Sequence, residues 1–68
     1  PMMADLTFLV DHQMVATRPW SQVPRVGELV ELRGSLQQTL RVVQVRWILE
    51  RGVSKSPWIE IEMERLTP

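Results

Sequence analysis

The sequence predicts an all-β fold, a single small five-stranded barrel. Three observations predict it: apolar residues recur with period two, helical spacing is sustained nowhere, and five apolar runs of strand length are separated by turn residues within 68 residues. A flat sheet of five short strands would leave one face and two edges open, so the economical arrangement for so short a chain is a strongly bent one.

Each element follows from local chemistry. LTFLV (6–10), DHQ (11–13) and MVAT (14–17) read as a hairpin with a three-residue turn, in which Asp11 supplies local hydrogen bonds, a single strand bent there being the alternative. Pro19 and Pro24 lack a backbone donor and constrain the residue before them, which predicts a surface loop over 18–25. Gly27 gives the backbone freedom for a tight entry into ELVELR (28–33), where Val30 and Leu32 share one face. Gly34 and Ser35 reverse the chain. LRVVQVRWILE (40–50) is the longest strand, and alternation assigns Val43, Val45, Trp47 and Leu49 to the core. RGVSKSP (51–57) has the composition of a longer hairpin loop. WIEIEME (58–64) then alternates, with Ile59, Ile61 and Met63 inward, Glu60, Glu62 and Glu64 outward, and Leu66 closing the end.

Among small barrels, an SH3-like one with a strongly bent antiparallel sheet fits this strand count and length, whereas an OB-type barrel usually needs more residues and often a helix. Neither an internal repeat nor a linker divides residues 1–68. A domain near this size buries only about 60% of the surface its unfolded chain exposes, so its stability is modest and self-association is one source of support. The chain has no cysteine and one histidine, which excludes a disulfide, a thiolate metal site and a zinc cluster, and no cofactor is implied. Absence of cysteine fits a reducing compartment, and the expected location is the cytoplasm. Eight basic residues balance eight acidic ones, so no global field draws the protein to nucleic acid or to an anionic membrane. No apolar run approaches the ~20 residues needed to span a bilayer, and no membrane partner is expected. Pro1 ahead of Met2 and Met3 is set aside as a terminal feature.

PRVGELVEL (24–32) followed by LRVVQVRW (40–47) resembles a pattern of small proteins from bacterial mobile elements, integron cassettes and phages. There a Pro-Arg-x-Gly-acidic turn leads a strand, and an Arg-Val-Val-x-Val-x-Trp strand pairs with it. The resemblance implies the barrel and no activity. Plasmid-borne type B dihydrofolate reductase, a tetrameric SH3-like barrel, is a related comparison, because its active pore is lined by a Val-Gln-Ile-Tyr strand. The nearest string here is Val43-Gln44-Val45-Arg46 in a chain without tyrosine, which argues against that reaction.

The remaining candidates are surfaces. Glu60, Glu62 and Glu64 stand about 7 Å apart along one strand face. They read better as a solvated face paired with Arg41, Arg46 and Arg51 than as an acid–base set, since catalytic carboxylates need a cleft and perturbing neighbours. His12 lies in a turn, where an idle exposed imidazole is the simpler reading. No serine or threonine has a nucleophile-elbow context, and three isolated glycines make no phosphate loop.

Arg18, Trp20 and Arg25 form the most suggestive set, an indole plane flanked by guanidinium groups. Arg46 and Trp58 extend the candidate binding surface. Trp20 either closes an open barrel end, with Pro19 and Pro24 stiffening the flap, or meets a partner. The expectation is a non-enzymatic interaction module that self-associates or binds a protein through the Trp20 loop and a strand edge. Nucleic-acid binding through Arg25, Arg41, Arg46 and Trp20, aided by Lys55 and Arg51, is the alternative. A small-molecule site on an oligomer axis, lined by Gln44, is a third.

Overall fold

A computed structural model describes residues 4–52 and 57–66. Five strands run in chain order: β1 (Ala4–Val10), β2 (Gln13–Trp20), β3 (Leu29–Arg33), β4 (Gln37–Ile48) and β5 (Trp58–Arg65). Their order in space is β2-β1-β5-β4-β3, a curled sheet with no helix among the described residues. The all-β class and the small, five-stranded, strongly bent barrel are borne out. One ladder departs from the antiparallel expectation, because β1 and β5 run parallel, Leu6 opposite Ile59 and Phe8 opposite Ile61. The other three are antiparallel. Around a ring of five strands that neighbour one another in chain order, at least one junction has to be parallel. Here the first and last strands supply it. The ring is left unsealed between β2 and β3, which share no ladder, and the result is a half-barrel.

Asp11 and His12 alone make the first turn, both with positive φ (52° and 62°), and Val10 pairs with Gln13. Such a two-residue turn matches the twist of its strands better than the expected three-residue loop. Asp11 reaches outside the hairpin, accepting a 2.7 Å bond from Arg65 Nη1. The expected loop over 18–25 is corrected at its start, since β2 continues through Pro19 to Trp20. An edge strand needs donors on one side only, so proline is tolerated there. The loop proper is 21–28. Part of the 51–57 hairpin loop, including Lys55, lies outside the described residues, as does Pro1.

Eight side chains form the core: Leu6, Phe8 and Val10 from β1, Leu40 and Val42 from β4, and Ile59, Ile61 and Met63 from β5. The β5 alternation is as expected, and Val30 and Leu32 pack together against this core from β3. On β4 the assignment of the odd-numbered residues is corrected. Leu40 and Val42 are buried, whereas Val43, Trp47 and Leu49 are exposed. The cause is a β-bulge: Val42 opposes Met63 and Gln44 opposes Glu62, leaving Val43 without a partner. The inner face passes from even to odd numbers at that point, so Val45 (opposite Ile61) and Trp47 (opposite Ile59) face inward beyond it. Trp47 is nevertheless 58% exposed, while Leu49 follows the strand and Leu66 is also exposed rather than a plug. A second bulge at Val15, between the Leu9–Met14 and Phe8–Ala16 pairs, does the same for β2. It turns Ala16, Arg18 and Trp20 to the side of Leu6 and Phe8. Both bulges add local twist and help curl the sheet.

Gly27 has φ +96°, and a Cβ there would meet no atom within 4 Å. Conformation rather than space therefore requires glycine. Gly27→Ala is expected to lower stability by about 1 kcal/mol through left-handed strain, read as a shift in urea midpoint at unchanged m.

Candidate functional site

An open concavity is built where β2 ends. Trp20 packs edge-on against Phe8, ring centroids 5.7 Å apart at 73° between planes, which closes one end of the core with part of the indole. The rest is free: the residue is 47% exposed. After Trp20 the chain crosses the open end of the half-barrel and meets β4 through a four-residue turn, Arg25 to Glu28. The Glu28 N–H donates to the Arg25 carbonyl (3.0 Å), and the Glu28 carboxylate accepts from the Arg25 N–H (2.7 Å). Gly27 at the third position supplies the positive φ of a type II turn. Two bonds then fasten the turn to β4: Gly27 N–H to the Val42 carbonyl (2.8 Å) and Val42 N–H to the Glu28 carbonyl (2.9 Å).

Beyond Val42 the loop and β4 part company. Between them lies an open groove of about 940 Å³, with Val45 and Trp47 on the β4 side. Trp20, Val23, Pro24 and Val26 supply apolar wall on the loop side, and Arg25, Glu28 and Gln22 the polar atoms. From Gln44 to Ile48, β4 is paired with β5 alone, since the β3 ladder ends at the Leu29–Arg41 pair. One strand edge therefore runs along the groove.

The five residues singled out from the sequence do not share one surface. Trp20 and Arg25 both line the groove. Arg18 lies opposite Leu6 on β2, beside the seam facing β3; its Nη1 donates to the Thr17 carbonyl at 2.6 Å, and it lines a second concavity of about 430 Å³ together with Trp58, Asp5 and Thr7. Arg46 and Trp58 belong to the outer face, where both bond to Glu60: Arg46 by a charged pair and Trp58 through its indole N–H at 3.4 Å. The Arg46 guanidinium, and after it the Trp58 N–H, hold the Glu60 carboxyl below its ordinary range. Arg41 pairs with Glu64 at 3.6 Å, and Glu62 takes the His12 imidazole Nδ1 at 3.2 Å. The acidic stripe of β5 is thus met partner by partner on a solvated face, where exposed pairs contribute little to stability. Gln44 lies opposite Glu62 on that same side. Trp47 and Val45 were not singled out as site residues. The signal that could have found them is the doublet Val42-Val43, which breaks the alternation and marks the bulge.

No helix among the described residues is long and apolar enough to cross a membrane. Comparison with protein-family models, with curated proteins and with solved structures finds no match to this chain.

Proposed function

We propose that the protein is a non-enzymatic interaction module that receives a protein segment, from a partner or from a second copy, in the groove between the Trp20 arm and β4. One observation carries this reading: two tryptophans about half exposed, Trp20 and Trp47, wall a groove along a strand edge that pairs with nothing among the described residues. Tryptophan is costly to leave in water and is the residue type most enriched where interfaces concentrate their energy. Open edges are otherwise blunted with charge or cover, because an uncovered one recruits other strands.

Trp47→Ala is the clean probe, since the side chain stands outside the core and its loss leaves folding intact. Immobilised wild-type protein is expected to retain a protein from a cell lysate that Trp47→Ala does not retain. Solution masses of both proteins by light scattering then separate a second copy from a different partner. Equal retention by the two proteins, together with equal mass, rejects the groove as the binding surface.

A further inference from the structure

We infer that the occupant of this groove is an extended peptide that adds as a strand to the open half of β4 and sets a carboxylate side chain against Arg25. This rests on the interaction-module reading and specifies the chemistry of its ligand. Three features support it together.

The first is the main chain. Between Gln44 and Ile48 one side of β4 is taken by β5, and the alternate N–H and C=O groups on the other side face the groove without a strand partner among the described residues. A segment in β conformation satisfies them residue by residue, which a compact ligand cannot do. The second is the wall: Trp47 and Val45 from β4 and Trp20 and Val26 from the loop flank that edge, so alternate side chains of an added strand meet apolar surface.

The third is charge. Arg25 and Glu28 are the charged residues of the groove. Glu28 is already engaged by the Arg25 backbone N–H, whereas the Arg25 guanidinium pairs with no carboxylate among the described residues. The groove therefore has a cation to offer and an acid in use. A second copy offering its own open β4 edge would bring Gln44, Val45, Arg46, Trp47 and Ile48, a stretch with no acid to meet Arg25. A single-stranded nucleic acid would find stacking surfaces but a single guanidinium, in a chain of formal net charge +0, where affinity depends on neutralising several phosphates. An acidic, alternately apolar peptide fits all three features.

Fluorescence polarisation with labelled Thr/Val-alternating decapeptides tests this. One peptide carries a central Glu, a matched one Lys, and a third the Glu together with N-methyl groups on alternate amides; labelled oligodeoxythymidine is the nucleic-acid arm. The Glu peptide is expected to bind at least tenfold tighter than the Lys peptide, N-methylation to remove at least tenfold, and Arg25→Glu to reverse the charge preference. Trp47→Ala should abolish binding of both charged forms. If the peptides bind in a Trp47-dependent way without regard to charge or N-methylation, the strand-and-carboxylate inference falls and the interaction-module reading stands. If no peptide binds, or only the oligonucleotide does, both fall.

Discussion

Ile61→Ala is expected to remove most of the stability of the fold. Ile61 is fully buried on β5, the middle strand of the sheet, opposite Phe8 across the parallel ladder and opposite Val45 across the antiparallel one. Its side chain therefore packs where both halves of the half-barrel meet, and neighbours fixed in two ladders have little freedom to collapse into the space it leaves. Loss of the buried methyl and methylene groups together with the cavity costs about 2–5 kcal/mol. At ~0.05–0.15 kcal/mol per residue, a domain of this length has only about 3–10 kcal/mol in total. Urea denaturation followed by tryptophan fluorescence should show the midpoint falling by about 2 M or more, given a slope near 1 kcal/mol/M. Leu49→Ala is the control. Leu49 is 74% exposed, and its truncation should stay within about 0.5 kcal/mol of wild type. Comparable losses for the two variants would mean that the core does not lie where the ladders put it.

This contrast also marks where the sequence was legible. Ile59, Ile61 and Met63 alternate with glutamates along an uninterrupted strand, so period and burial agree and the inner face can be read directly. On β4 the same rule places Val43 and Leu49 inside and Leu40 and Val42 outside, the reverse of what is found. Alternation counts residues along one strand, whereas burial depends on register against the neighbour, and one unpaired residue separates the two counts. The candidate site suffers from the same limit. Trp20 and Arg25 were visible because prolines and a glycine mark their loop. Their counterpart Trp47 was hidden, because its face is set by the bulge at Val43 and its proximity to Trp20 by ladders that join distant parts of the chain. Arg46 and Trp58, though apt in type, were drawn off to the outer face by Glu60.

Two one-residue edits in β4 are expected to have opposite outcomes, and the larger effect belongs to the one that removes nothing. Deleting Val43 takes an apolar β-branched residue out of the longest strand, yet Val42 would still oppose Met63, Gln44 Glu62, Val45 Ile61 and Trp47 Ile59. Each remaining side chain keeps its face, so the variant should unfold cooperatively, having lost local twist and with it the shape of the groove. Inserting an alanine between Gln44 and Val45 preserves every native side chain but moves the next ones by one register position. Val45 then opposes Glu60 on the outer face, Arg46 is carried inward against Ile59, and Trp47 turns outward. The Arg46–Glu60 pair is broken at the same stroke. Val45, packed against the core, gives its place opposite Ile61 to alanine, and Arg46 takes the half-exposed place of Trp47, which together cost about 1–3 kcal/mol, a large part of what such a domain has. Dispersed amide resonances in the deletion variant, and a urea midpoint at least about 1 M lower in the insertion variant, are the expected signatures. A folded insertion variant with unshifted core resonances would require a strand that absorbs the extra residue at the existing bulge, and the side-chain faces of β4 would then be set by Trp47 and Val45 seeking the inner side rather than by continuity of the chain from Val42.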